Sequence, residues 1–392
     1  MNRTVPPVRA SEARWQTASE VLALLRREPG ITRAVMAQRL NLSSGSATEI
    51  AARLRDAALL TEEPARPRGR GRPTAVLRPH PDGPLVLAVD LRHGDWRWTL
   101  VGVDGTLDDV AVRPHDGRDP DAVLAAVRRV VDRARATHGR RLRAVSVAVA
   151  GTVRHGRLVQ AATLGWGAVD LTGLTAGTGL ALRVGNDATL AGVAETRTGA
   201  ARSAHTALHL AVEVGIGGAL VVGGRPVEGL GGAGGEYGHL PFGDRSLPCP
   251  CGARGCWDLE IDGRALARHL GEDPGTDPRA YAVGVLASSD DRSLRAVRTV
   301  AAALGAGIAG LVNAHASELV TLGGLAGPLR SAAPDAFGAA YSDGLMAFHR
   351  EAPPPVVRAA HGADGALHGA AAVGLDRVTR EAALAEWAFD RG

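Results

Sequence analysis

The chain has 392 residues, enough for two or three domains with large cores. Apolar residues make up 45% and aromatics only 3%, so aliphatic packing must dominate, and all 45 basic residues are arginine. Charge is uneven: residues 1–80 hold 14 arginines against 7 acidic residues, a net of +7, whereas the remainder holds 31 against 34, a net of −3. A basic module on a mildly acidic body predicts a polyanionic partner. No apolar run follows Met1, and the longest apolar stretch, residues 207–224, contains His209, Glu213 and several glycines and reads as strands. The expectation is a cytoplasmic, nucleoid-associated protein with no secretory signal and no membrane span.

The first 80 residues read as a DNA-binding module. Residues 14–27 predict a helix with Val21, Leu22, Leu24 and Leu25 on its apolar face, ended by Pro29-Gly30. Thr32 caps a second helix over 33–40, and Asn41-Leu42 make a short turn. Ser43 or Ser44 caps a third helix running to Ala57, with Ile50, Leu54 and Ala58 turned inward. Helix, short turn, helix, with small polar residues opening the last helix, is the helix-turn-helix pattern. Ser44, Ser46, Ala47, Thr48 and Arg53 are the expected contacts to base edges and phosphates. Leu59-Leu60 starts a strand, after which Arg66, Arg68, Arg70 and Arg72 alternate with Gly and Pro. Such a segment repels itself and cannot pack a core. It predicts the wing of a winged helix-turn-helix, with Arg68, Arg70 and Arg72 on DNA and Arg70 or Arg72 entering a minor groove. The alternative is a solvated arginine-rich linker.

From Leu85 the pattern changes to strands. Residues 85–91, 96–104 and 110–114 read as an antiparallel meander, and residues 121–138 as an amphipathic helix. Residues 142–151 predict a buried strand ending at a glycine loop; 180–187 predict a strand and 188–198 a helix. This alternation predicts an α/β lobe. A second lobe is expected from near Thr206, with strands 207–214, 218–222, 318–322 and 355–359 and helices 280–287 and 294–314. Residues 271–278 read as loop, and one last helix over 366–389 returns to the first lobe. The expected domains are 1–80, then 81–195 with 366–392 packing back on it, then 196–365.

Residues 229–262 carry the most specific chemistry. All three cysteines lie here, at Cys249, Cys251 and Cys256, with His239 shortly before them. Pro248, Pro250, Gly252 and Gly255 separate them and make tight turns. The odd count and the clustering argue against a disulfide framework. A Cys3His site with four protein ligands predicts structural zinc, since no coordination position stays open for catalysis.

The pattern Gly-Glu-x-Gly-His, nine residues, then Cys-x-Cys-Gly-x-x-Gly-Cys resembles the ROK family of sugar kinases and transcriptional repressors. The glycine-rich stretch 212–239 before it resembles that family's signature, and the Gly-Arg-Pro close of the wing resembles its repressor branch, the NagC, XylR and Mlc type. The resemblance implies a two-lobed actin-like, ribonuclease H-like α/β fold behind the winged module, with a sugar and ATP cleft between the lobes. It also implies an effector set of Gly151, Thr163, Asn186, Asp187, Glu236, His239 and Asp258. Asp187 matches the family's catalytic base, and Asn186 or Asp187 can equally cap the following helix. Asp258 stands where the family usually has Glu, Thr163 where it has Asn, and Ala150 where it has Pro. Trp166 can stack on a sugar ring or anchor a core.

Two departures bear on activity. The family's first phosphate loop reads Asp-x-Gly-Gly-Thr, whereas Asp90 is followed here by Leu91, Arg92, His93, Gly94 and Asp95. Its second reads Gly-Thr-Gly-x-Gly-Gly, whereas here it is Glu213-Val214-Gly215-Ile216-Gly217-Gly218. Gly323-Gly324, where the family contacts adenosine, remains. Phosphoryl transfer rests on positioning and charge stabilisation, so two altered loops predict no kinase activity and a vestigial Asp187. The expectation is a transcriptional regulator, a repressor, that binds operator duplex as a homodimer or tetramer and responds to a carbohydrate or sugar phosphate. The competing expectations are a sugar or aminosugar kinase using ATP, and a constitutive architectural protein.

Overall fold

A computed structural model describes residues 8–64, 75–117, 119–161, 164–232 and 234–391; Arg66, Arg68, Arg70, Arg72 and Thr163 lie outside them. The chain divides into two compact units. The first holds the described residues through Ala148, Val169–Val184 and those from Ala370 onward. The second holds Val149–Ala168 and Gly185–Gly369. The N-terminal module therefore shares a unit with the first sheet. Residues 149–168 and 185–195, expected in the first lobe, cluster with the second unit.

Three helices open the first unit: α1 (Val8–Arg27), α2 (Arg33–Arg39) and α3 (Ser44–Asp56). α1 starts six residues before the expected helix over 14–27, because Ala, Glu and Arg favour helix without an apolar stripe. Thr32 caps α2 by accepting from the Val35 N–H at 3.2 Å, and Ser43 caps α3 by accepting from the Ser46 N–H at 3.0 Å. Asn41 makes the turn between them at φ 51°, a left-handed conformation that Asn tolerates. β1 (Leu60–Pro64) and β2 (Ala75–Pro79) then pair antiparallel, with Pro64 opposite Ala75. The arginine-rich segment thus joins the two strands of a hairpin, as a wing does.

The first sheet follows. β3 (Leu85–Leu91), β4 (Asp95–Val101) and β5 (Ala111–Pro114) form the expected meander. α4 (Pro120–His138) leads to β6 (Leu142–Val149). β7 (Thr152–Arg154) and β8 (Arg157–Gln160) make a short hairpin of the second unit. β9 (Ala181–Asn186) completes the sheet, in the order β5-β4-β3-β6-β9, and runs into α5 (Asp187–Arg197).

The second unit repeats the plan. β10 (Thr206–Glu213), β11 (Gly215–Val222) and β12 (Arg225–Pro226) are antiparallel neighbours. After α6 (Gly263–Leu270), α7 (Pro278–Ala287) and α8 (Asp291–His315), β13 (Leu319–Gly324) pairs parallel to β10. α9 (Ala326–Ala332), α10 (Pro334–Gly344) and α11 (Ala347–Glu351) precede β14 (Val356–Arg358), giving the order β12-β11-β10-β13-β14. Two five-stranded mixed α/β sheets of this kind are the expected actin-like architecture. α8 is long and apolar enough to span a membrane, but residues such as Val300, Leu304, Ile308 and Leu311 are buried in the core of this unit.

The single helix expected over 366–389 is two, α12 (Gly365–Val378) and α13 (Glu381–Phe389). The Thr379 hydroxyl donates back to the Leu375 carbonyl at 2.8 Å, and Arg380 is extended at ψ 153°. No Gly or Pro announces this break; tertiary packing imposes it. Leu384 and Trp387 of α13 turn into the core of the N-terminal module, against residues such as Trp15, Leu22, Met36 and Leu54. The Trp387 indole N–H donates to the Ala57 carbonyl at the end of α3, at 2.7 Å. Trp387→Ala is expected to lower the urea unfolding free energy by about 3–5 kcal/mol. A loss below about 1 kcal/mol would show that α13 does not brace the module.

Glu195 ties α5 to the loop before α12. Its carboxylate is 1% exposed and accepts from the N–H groups of Ala200, Ala360 and His361. Nearby, burial pulls His209 and His368 from the usual 6.5 down to about 4. Unfolded histidines take up protons that these two refuse between those values, so stability should fall as pH drops through that window. The thermal midpoint should be lower at pH 5 than at pH 7, and His368→Gln should reduce the difference; a midpoint independent of pH would contradict this.

Candidate metal centre and ligand site

His239, Cys249, Cys251 and Cys256 place one ligand atom each within 4.8 Å of one another. The turn is built by backbone: the Cys249 N–H donates to the Ala253 carbonyl at 2.8 Å and the Gly252 N–H to the Cys249 carbonyl at 2.9 Å. The Cys251 and Cys256 sulfurs are 3.6 Å apart, far beyond the ~2 Å of a disulfide, and all three cysteines are free. Burial, then the neighbouring thiols, push Cys256 up to about 12. Three thiolates do not share such a pocket without a cation to offset their charge. Three thiols and an imidazole fit a closed tetrahedral zinc ion, which would crosslink a loop that has little core.

The loop is also pinned by groups the sequence did not single out. Trp257 is buried, and its indole N–H donates to the Ala303 carbonyl of α8 at 3.1 Å. Asp258 accepts from the Ile216 N–H at 2.6 Å, at the start of β11. A Cβ at Gly238 would lie 1.9 Å from Asp258 Oδ1, so only glycine permits this approach. Burial raises the Asp258 carboxyl above its ordinary range. His239 Nδ1 is 3.7 Å from Asp258 Oδ2 and 3.8 Å from Cys249 Sγ. Asp258 therefore braces the loop that carries His239.

The other expected ligand residues that are described fall within the same unit. Asn186 caps α5: its Oδ1 accepts from the Thr189 N–H at 2.9 Å, and its Nδ2 donates to the Gly151 carbonyl at 3.1 Å. Asp187 is the first residue of α5 and is partly buried. Glu236 is exposed and accepts from the Thr152 hydroxyl at 3.1 Å. Thr152, placed by the β7–β8 hairpin, was not among the expected residues. Gly151 is packed tightly, since a Cβ there would lie 2.6 Å from the Gln160 carbonyl. Trp166 is 4% exposed and belongs to the core rather than to an open ring face.

Both altered phosphate loops are hairpin turns, one in each unit. In the first unit Arg92 donates twice to Asp95, at 2.7 and 2.6 Å, across the β3–β4 turn. Behind it Asp90 is 1% exposed and paired with Arg97 at 2.7 Å. In the second unit Glu213, at the β10–β11 turn, is paired with Arg279. Each turn thus carries a carboxylate held by an arginine where a phosphate cradle needs free backbone N–H groups.

At the start of α3, Ser44, Ser46 and Thr48 are exposed. The Thr48 hydroxyl is held by the Ser44 carbonyl at 2.8 Å and the Ser46 hydroxyl by that of Ser43 at 2.8 Å. Arg53 pairs with Glu49 at 2.8 Å. Ala47, expected on DNA, is 1% exposed and cannot touch a base. It lies on the inward face with Ile50, Ala51 and Leu54, at the three-to-four spacing of a buried stripe.

The ROK family matches residues 86–377, most of the chain. The chain belongs to the ROK family. Among ROK relatives, a kanosamine kinase of Amycolatopsis mediterranei is 32% identical over 66% of this chain and 84% of its own. A glucokinase of Streptomyces coelicolor is 30% identical over 41% of this chain, which spans only half the length of that relative. A xylose repressor of Bacillus subtilis is 26% identical over 35% of this chain and 36% of its own. A ROK transcriptional regulator described as a homolog of the E. coli MLC protein has the same fold, with a TM-score of 0.75 at 21% identity, covering 98% of this chain and all of its own. A Streptomyces griseus ROK glucokinase, solved with glucose and AMPPNP, gives 0.62 at 23% identity and covers 74% of this chain and 98% of its own. Regulators and sugar kinases both stand among the ROK proteins it resembles.

Cys251→Ser is expected to lower the metal content of this ROK protein well below one per chain and to destabilise it. Elemental analysis of the purified variant checks this; full zinc retention would remove Cys251 from the ligand set.

Proposed function

We propose that this ROK protein is a transcriptional regulator, a repressor, that binds duplex DNA through its N-terminal module. The observation that carries this is the module itself: a capped helix-turn-helix whose last helix opens on exposed Ser44, Ser46 and Thr48, followed by the β1–β2 hairpin. The MLC homolog likeness spans this module, whereas the glucokinase likeness covers about three quarters of the chain. Arg53 and the wing residues Arg68, Arg70 and Arg72 would add phosphate and minor-groove contacts. Two modules from a cytoplasmic homodimer would engage two half-sites.

The controlling ligand is a carbohydrate or its phosphate, gripped by Asn186, Asp187, Glu236 and His239, with Gly151, Thr163 and Asp258 shaping their surroundings. Zinc on His239 and the three cysteines would fix the loop, and with Nδ1 on the thiol side the imidazole leaves Nε2 for a ligand hydroxyl. Ligand acts on DNA binding only as far as its affinity differs between the bound and released states. Asp187 stands where ROK kinases keep a base, but the ion pairs in both turns favour sensing over phosphoryl transfer.

Mobility-shift titration of duplex DNA at several salt concentrations tests the proposal. Binding should weaken steeply with salt, and Arg70→Ala with Arg72→Ala should reduce both the affinity and the salt slope. A protein indifferent to duplex DNA at low ionic strength would end this proposal.

A further inference from the structure

The first unit contains a pocket that the expected function does not use. It has a volume of about 430 Å³, within the range of small-molecule sites. Four arginines line it, Arg135, Arg140, Arg143 and Arg377, against one acid, Glu386. Arg140 and Arg143 are already engaged, by Asp390 at 3.1 and 3.2 Å, and Arg143 also by Glu386 at 3.0 Å. Arg135 and Arg377 have no ion-pair or hydrogen-bond partner for their guanidinium groups among the described residues. Arg183 and Arg380 stand beside Arg377 and are equally unpaired. Burial, then the charges of Arg380 and Arg377, hold the Arg183 guanidinium below its ordinary range. Unpaired like charges this close to one another cost stability unless an anion joins them.

Leu142, Leu180, Val378 and Ala383 face the same space, and Thr178 adds a hydroxyl to the wall. A phosphate dianion against the arginines and a short carbon skeleton against these aliphatic side chains match this lining. Guanidinium forks suit phosphate oxygens because each offers parallel N–H donors. We propose that this pocket is a second ligand site, for a small organic phosphate, held by Arg135 and Arg377 with Arg140 and Arg143 at its rim.

Its place in the fold gives it a regulatory reach. Ala383 and Glu386 line the pocket from α13, while Leu384 and Trp387 of the same helix sit in the core of the DNA-binding module. An anion that draws Arg143 from Glu386 and Arg140 from Asp390 loosens contacts that seat α13. The pocket adjoins the Ala57 end of α3, through Trp387, and not the Ser44 end that opens toward DNA. A recess at that end suits a small anion better than a duplex backbone.

Isothermal titration calorimetry of the full-length protein with pyrophosphate and with ribose 5-phosphate tests the site. Saturable binding of ribose 5-phosphate is expected, weakened at least about tenfold by Arg135→Ala with Arg377→Ala, and binding of pyrophosphate alone would overturn the assignment to an organic phosphate. The double variant strands no acid, so its ligand-free thermal midpoint should stay level or rise. If it fails to fold, Arg377→Gln alone should still weaken binding severalfold. No binding of either probe, or binding unchanged in the variants, would overturn the site. Citrate binding as tightly would overturn the assignment to phosphates. Loss of duplex DNA affinity in the double variant, with no phosphate bound by the parent protein, would make these arginines DNA contacts instead.

Discussion

Two hairpin turns decide what this chain can do with a nucleotide. A phosphate-binding turn works by leaving backbone N–H groups free and bringing no negative charge near them. Here the β3–β4 turn is closed by Arg92 and Asp95, with Asp90 and Arg97 paired behind it. The β10–β11 turn ends on Glu213, held by Arg279. The arginines offset the carboxylates locally but do not restore a cradle, because their charge is already engaged. Positioning is most of what phosphoryl transfer asks of a protein, so on the proposed reading the loss falls on activity and leaves the fold intact.

What remains is a set of polar groups organised around a loop of low intrinsic stability. The segment from Glu236 to Cys256 is held by Trp257 against α8, by Asp258 on the Ile216 amide, and by a ligand cluster suited to zinc. Glu236 and His239 are therefore fixed by their surroundings rather than by their own burial, since both are exposed. Such pre-placed groups suit recognition of a hydroxylated ligand. At the other end of the chain, α13 gives the N-terminal module two of its core residues, so the module and the first sheet form one unit.

Much of this was legible in the residues, for reasons that differ from place to place. The metal ligands were visible because four donors fall within eighteen residues among prolines and glycines, a spacing that local turns alone can close. The helix-turn-helix was visible because Thr32 and Ser43 cap locally. Ala47 was misplaced because alanine carries no polarity signal, and only its spacing to Ile50, Ala51 and Leu54 marks it as buried. The break between α12 and α13 left no mark, since it arises from Trp387 and Leu384 packing on a module more than 300 residues away in sequence. Thr152 went unnoticed because the β7–β8 hairpin, not its neighbours in sequence, brings it to Glu236. The buried role of Trp166 was one of two readings that the residues left open, and packing selects it.

The most direct test of the central claim is a coupled assay of the purified, zinc-loaded protein with magnesium ATP and a panel of sugars and aminosugars. The account predicts no sugar-dependent ADP release above background with any of them. Turnover that disappears in Asp187→Asn would contradict it, and would place this chain among the kinases of its family.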